Sequence, residues 1–350
     1  MQEKLKIALL TPTFNSYSGI DRVVEQQAER YINDGYDVTI FALEAKMKPK
    51  RAELVVIGIS KNLLIQRLER LFYFLFFWKV RKYGNMLECN HDYERIYSGY
   101  WKVISHFYPM NWIAIHAQKK YGTQYIYWDY GIAKPETFSS IIERIYMKLF
   151  NIFNNYTIKK ANKVISISKY LSKELYQELS IESEVKYPIV NTKRFYKDST
   201  PKARDPLCLY VGRISPHKGI HLLLEAFELV LKEIPTARLI IAGKRTFEKY
   251  YDQLAYQAHK IDLIRILFIE DATDEELVKL YRTAHVYTTA TQWEGYDLPI
   301  KEAELCGTPS VAFDIGPHKE VLKKGILVQN GDIEAFAEAV IKVLRGEEHG

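Results

Sequence analysis

A chain of 350 residues exceeds what one compact core usually holds, so two domains are expected. Its composition, 47% hydrophobic and 26% charged, is that of an ordinary soluble globular protein, and no uncharged apolar run approaches the roughly eighteen residues of a membrane span. The formal charge of +6 arises almost wholly between Lys61 and Lys82, where six basic residues stand against the single acid Glu69. Such a local excess suits an anionic partner surface, either nucleic acid or membrane.

Three cysteines, Cys89, Cys208 and Cys306, lie far apart without metal-ligand spacing, which points to reduced thiols, a cytosolic chain and no structural zinc. The first apolar run, Ile7 to Leu10, is too brief for a signal-peptide core and reads as a strand. A helix follows in SGIDRVVEQQAERYINDG, with Ile20, Val23, Val24, Ala28, Tyr31 and Ile32 at helical spacing. Ser18 and Asp21 make a capping-box-like start, and Gly35 sits where a C-cap glycine belongs. YDVTIFAL is the second strand; RIYSGY, QYIYWD and KVISIS are further strands, the last leading into the helix KYLSKELYQEL. This alternation implies a parallel sheet with helices on both faces.

Residues 1–188 form the first domain on this reading, and the polar, proline-bearing stretch 189–206 is the connection. Residues 207–350 repeat the alternation: PLCLYVGR, ARLIIAG, HVYTTAT and SVAFD as strands, with GIHLLLEAFELVLKEI, EELVKLYRTA, PIKEAELCG and IEAFAEAVIKVL as helices. Two such domains imply a ligand cleft between the carboxyl edges of two parallel sheets.

Three places suit an anion. In YVGRISPHKGI, Gly212 and Arg213 follow a strand, and Lys218 and Gly219 open a helix, so close backbone approach, free N–H groups and cationic charge coincide. The plainer alternative is a loop carrying two solvated cations. Ser18-Gly19 opens a second helix start. The third place is WEGYDLPIKEAELCG, where the backbone of Gly295 to Pro299 leads into a helix flanked by Glu294 and Glu302. Carboxylates do not bind phosphate, so these glutamates ask for hydroxyl or ammonium groups, which suits a sugar phosphate or a nucleotide. The chain has neither a P-loop nor a Gly-x-Gly-x-x-Gly after a strand.

Together these segments resemble the family 4 glycosyltransferases, from about Lys6 to Leu344 and least clearly over Ala45 to Leu87. YVGRISPHKGIHLLLEAF looks like that family's glycine-arginine-lysine diphosphate loop, and WEGYDLPIKEAELCGTPSVAFD like its paired-glutamate motif. The resemblance implies an α/β chain of the GT-B fold, two Rossmann-like doubly wound domains facing across a cleft, and a retaining transfer from a nucleotide-diphosphate sugar of UDP or GDP type. By the same resemblance Arg213 and Lys218 neutralise the diphosphate without a metal or other cofactor, and Glu302 accepts from ribose hydroxyls. Glu294 and the backbone of Gly295, Tyr296, Asp297 and Leu298 hold the sugar and its phosphate, while Gly19, Gly212 and Gly243 let the backbone approach. Catalysis would rest on positioning and on charge at the departing diphosphate.

The chain departs from the family in three respects. Asp129 stands where the family often has histidine, and is either a turn aspartate or a contact to donor sugar or acceptor. Asp297 stands where a second glycine is frequent, which fits a donor site if its side chain turns toward the sugar hydroxyls. The family continues past IEAFAEAVIKVL with a crossover to the first domain, whereas this chain ends at RGEEHG, so the crossover is absent or the chain is cut before it.

LLIQRLERLFYFLFFWKVRK, Leu63 to Lys82, reads as one helix. Leu64, Leu68, Leu71, Leu75 and Trp78 form a stripe for the core. A second stripe, Tyr73, Phe74 and Phe77 with Arg70 and Arg81, is left to meet something apolar. A helix buried in a dimer would explain it; an interfacial helix on an anionic membrane is favoured, and nucleic acid is disfavoured for want of a recognisable module. At about 1 kcal/mol per basic residue, such attachment is reversible. The expected enzyme is a hexosyltransferase peripheral to the cytoplasmic membrane face, with a glycan or lipid-linked acceptor. A sugar-nucleotide epimerase or hydrolase, or a silent scaffold, are the alternatives.

Overall fold

The run Ile7 to Leu10 is fully buried because its side chains leave both faces of a central strand. Ile7 and Leu9 pack with Val24, Ala28 and Ile40, whereas Ala8 and Leu10 pack with Ile113, Ala114 and Tyr125. The structure, a computed structural model, describes residues 5–15, 19–73, 77–92, 95–132, 134–137 and 140–347. Ser18, Phe74 and Leu75, singled out above, lie outside them. The chain divides into two units, Met1–Tyr187 and Pro188–Gly350.

The first unit runs β1 (Leu5–Phe14), α1 (Gly19–Asn33), β2 (Asp37–Ala45), β3 (Glu53–Val56), α2 (Leu63–Leu71), α3 (Phe77–Asn85), β4 (Cys89–Asp92), β5 (Arg95–Ser105), α4 (Asn111–Tyr121), β6 (Gln124–Asp129), α5 (Ile141–Ile158), β7 (Lys163–Ser166), α6 (Lys169–Leu179) and β8 (Glu184–Val185). The sheet order is β3-β2-β1-β5-β6-β7-β8, parallel throughout, with β4 added antiparallel to β5. Gly35 ends α1 with φ +92, as a C-cap glycine should.

The second unit runs β9 (Leu207–Val211), α7 (Ile220–Glu233), β10 (Arg238–Ala242), α8 (Glu248–Ile261), β11 (Ile266–Ile269), α9 (Asp274–Thr283), β12 (Val286–Thr289), α10 (Leu298–Leu305), β13 (Ser310–Phe313), α11 (His318–Val321), β14 (Gly325–Val328) and α12 (Ile333–Leu344). Its order, β11-β10-β9-β12-β13-β14, is the doubly wound pattern, which reverses direction between β9 and β12. The stretch 189–206 is laid along this unit: Phe195 is buried against Tyr281, Arg282 pairs with Asp198 at 2.6 Å, and Lys202 reaches the Ala284 carbonyl at 2.7 Å.

The expected single helix from Leu63 to Lys82 is corrected: α2 ends at Leu71 and α3 begins at Phe77. The break resets the helical phase, so the two stripes do not continue across it. Tyr73, assigned to a membrane, is only 1% exposed, while Leu64, Leu68 and Trp78, assigned to the core, are exposed. What faces inward instead is an ion pair. Lys79 Nζ lies 2.7 Å from Glu69 Oε1 and donates to the Gly58 carbonyl at 3.0 Å, and the Ser60 N–H donates to Glu69 at 2.7 Å. Those added hydrogen bonds offset the cost of burying both charges. Among the described residues no helix is long and apolar enough to cross a membrane.

Candidate functional site

In the second unit, the loops after β9 and β12 flank the reversal point, where ligands of open parallel sheets bind. They are laced together. The Gln292 N–H and the Thr291 hydroxyl donate to the His217 carbonyl at 2.9 and 3.2 Å. Gly219, at φ +62, packs so tightly that a Cβ there would overlap the Ala290 carbonyl, and one on Gly243 would overlap that of Gly212. A short turn, Pro216–Lys218, precedes Gly219, which caps α7.

This lacing brings Lys218 against Glu294, 76 residues later, in a partly buried ion pair. Burial pushes the Lys218 ammonium down to about 8, Asp297 opposing and Arg213 adding to the fall, so it stays cationic near neutrality. Arg213 is exposed, its carbonyl accepting from the Tyr210 hydroxyl at 3.1 Å. His217, between the two cations, is held neutral by burial, at about 3.

The paired-glutamate segment gives α10 an unusual start. Asp297 caps it with φ +61, a left-handed conformation that costs a non-glycine residue about 1–2 kcal/mol. The Asp297 side chain makes no cap on its own helix. Nor does it stand ready for sugar hydroxyls as expected. It is buried, with Oδ2 3.1 Å from His318 Nε2. Gly295 and Tyr296 are buried beside it, and Leu298 and Pro299 are half-buried. Glu302, one turn into α10, is buried and accepts from the Tyr281 hydroxyl at 2.8 Å. His318 and Tyr281 went unnoticed in the sequence, being a lone histidine in a turn and a tyrosine on an amphipathic helix.

In the first unit the reversal point lies between β1 and β5. Gly19 is exposed at the first residue of α1. Asp21 ties the preceding loop down, accepting from the Asn15 N–H at 2.8 Å and the Thr13 hydroxyl at 3.3 Å. Asp129 ends β6, buried, accepting from the Gly131 N–H at 3.0 Å and the Ser166 hydroxyl at 3.2 Å. Burial pushes its carboxyl up to about 6, those two hydrogen bonds opposing. His106, just after β5, is buried and held neutral at about 3, with Nδ1 2.9 Å from the Tyr130 hydroxyl and Nε2 without a partner among the described residues. The expected strand was cut short at Tyr100, which hid His106. The Gly131 contact is a turn contact, whereas the Ser166 contact reaches the neighbouring strand β7.

Of the described residues expected to meet a membrane, two lie on the surface and two are engaged by the protein. Arg70 pairs with Glu44 at 3.0 Å, Tyr73 is buried, and Phe77 and Arg81 are exposed. Exposed apolar side chains gather on α2 (Leu63, Leu64, Ile65, Leu68), on α3 (Phe77, Trp78) and on α5 (Ile141, Ile142, Ile145, Ile152), and α2 packs on α5.

Residues 17–194 match the family described as Glycosyltransferase Family 4, and residues 192–349 match Glycosyl transferases group 1. The O-antigen chain mannosyltransferase RfbU of Salmonella typhimurium is 25% identical over 206 residues, 58% of this chain and 56% of that protein. The chain spans between about a third and about half the length of curated relatives it matches. Among solved structures, the sucrose-phosphate synthase of Thermosynechococcus elongatus superposes with a TM-score of 0.78 at 21% identity, over 98% of this chain and 90% of that one. Anabaena Alr3699/HepE, solved in complex with UDP-glucose, gives 0.73 at 17% identity, over 98% and 90%. These superpositions identify the fold as GT-B.

Proposed function

The chain belongs to glycosyltransferase family 4, and from that premise we propose that it moves a hexose from a nucleotide-diphosphate sugar to a glycan or lipid-linked acceptor. One observation carries the reading: Lys218 and Arg213 stand in one loop, and Lys218 meets Glu294 beside the uncapped start of α10. The diphosphate takes the cationic loop and the start of α10; the sugar hydroxyls take Glu294; the ribose takes Glu302. When the diphosphate binds, Lys218 exchanges part of its contact with Glu294 for phosphate oxygens, which releases a carboxylate for the sugar. In the transition state, negative charge builds on the departing diphosphate, and two preplaced cations stabilise it without a metal ion. The acceptor approaches the anomeric carbon from the leaving-group side, so configuration is retained. Asp129 belongs to the sugar or acceptor side.

The apolar surface of α2, α3 and α5, bordered by exposed Lys61, Arg67, Arg81, Lys82, Arg144 and Lys148, supports peripheral attachment to an anionic cytoplasmic membrane face.

The test offers UDP-, GDP- and ADP-sugars with membrane-extracted acceptors, and reads transfer and the anomeric configuration of the product by NMR. Transfer with retained configuration is expected. Donor hydrolysis or epimerisation without any glycosylated product would replace this reading by the hydrolase or epimerase alternative. No turnover and no nucleotide binding would leave a silent scaffold.

A further inference from the structure

Asp297 places a buried carboxylate at the very start of α10, where an anionic ligand would be least welcome beside it. The contacts around it show how it is kept aside. His318 is fully buried between two oxygen acceptors: Nδ1 lies 2.7 Å from the Phe313 carbonyl, and Nε2 lies 3.1 Å from Asp297 Oδ2. A carbonyl only accepts, so Nδ1 carries a hydrogen. Nε2 is then the ring atom that meets the carboxylate. His318 is set in place by the Pro317 turn that opens α11, and the carbonyl it grips closes β13.

We infer that His318 is a positioning residue that draws the Asp297 carboxylate away from the start of α10 and so keeps that helix end open for the donor's phosphate. The inference rests on the proposed donor site and deepens it. Aspartate is among the best N-cap residues, because its carboxylate accepts from the first free N–H groups of its own helix. Asp297 already occupies the cap position, yet makes no such bond. Pro299 has no N–H and the Ile300 N–H donates to the Asp297 carbonyl at 3.3 Å, so a carboxylate released from His318 competes for that one N–H, crowds the phosphate position and adds a repelling charge. Glycine at the same place would need no such restraint, since it adopts φ +61 freely and carries no carboxylate.

Four variants test this by calorimetric titration with UDP, with GDP and ADP in parallel, and by thermal melting of each protein. His318→Gln puts its amide where Nε2 lies and keeps the bond to Asp297; His318→Asn puts it where Nδ1 lies and loses that bond. Asp297→Gly and the double variant Asp297→Gly with His318→Asn remove the carboxylate. The expected result is binding by His318→Gln within about threefold of wild type and by His318→Asn about tenfold or more weaker, with the double variant recovering to within about threefold of Asp297→Gly. A purely structural role for His318 would instead lower affinity in step with melting temperature and give no recovery in the double variant. Equal affinity of His318→Asn and wild type overturns the inference, as does a double variant no tighter than His318→Asn. A wild-type protein that binds none of the three nucleotides overturns the donor site itself, a separate outcome.

Discussion

Both units reverse their strand order once, between β1 and β5 in the first and between β9 and β12 in the second, yet the side chains at those two points differ in kind. The first gathers Asp21, His106, Asp129 and Tyr130, all buried, with burial working against the charge of the histidine and of Asp129. The second gathers Arg213, Lys218 and Glu294, with Arg213 exposed and the other two paired in a partly buried contact. The same topology therefore supplies a location and leaves the ligand to be chosen by charge. A cationic loop at a helix start suits an anion; a buried cluster of a neutral histidine, a tyrosine and two carboxylates suits hydroxyl groups.

That contrast can be broken most forcefully at Lys218. Lys218→Ala is expected to lower kcat, with donor saturating, by about a hundredfold to a thousandfold, the usual cost of removing a preplaced charge or donor from a developing anion. A change under about threefold would mean that charge does not distinguish the two sites. A smaller effect, in stability, sharpens the first-unit side. The Asp129 carboxyl is raised in the folded chain to about 6, so the folded state holds a proton there that the unfolded state gives up near 3.9. Stability then falls as pH rises from about 4 through 6, and the whole cost is present above that window. Relative to wild type, Asp129→Asn is expected to gain about 2 kcal/mol between pH 4 and pH 7.5, read from urea titrations at each pH. A constant difference across that range removes the burial argument. The smallest effect concerns the outer face of the first unit. Arg81→Gln should weaken flotation with anionic vesicles by about 1 kcal/mol, and Arg70→Gln by less, since Arg70 already pairs with Glu44. Equal losses, or equal recovery on neutral vesicles, would contradict the membrane reading.

The second unit was legible because each of its signals is local. Gly212, Lys218 and Gly219 mark a strand-to-helix turn, and Glu294 and Glu302 bracket a helix start, so short windows carry both fold and chemistry. The stretch from Leu63 to Lys82 was not, because its deciding interaction joins α2 and α3 to the loop at Gly58 and Ser60. A buried lysine paired with a buried glutamate looks on a helical wheel like two surface charges, so the wheel misplaces Leu64, Leu68, Tyr73 and Trp78, while Leu71 and Phe77 lie on the sides it assigns. His318 was invisible for a related reason. Its meaning lies in Asp297, 21 residues away and on another element, and only the fold brings them within 3.1 Å.

The lacing of the two loops also constrains how the second unit reaches its native state. β9 and β12 meet only after about half of that unit has been threaded between them: the Thr288 hydroxyl donates to the Leu209 carbonyl across 79 residues. Closing so long a loop is entropically slow, and parallel pairings of this kind are made late. The pairing that seats Lys218 against Glu294 thus comes with the centre of the sheet rather than before it. If the proposed donor site forms only with the centre of the sheet, nucleotide added during refolding should leave the folding rate nearly unchanged while slowing unfolding.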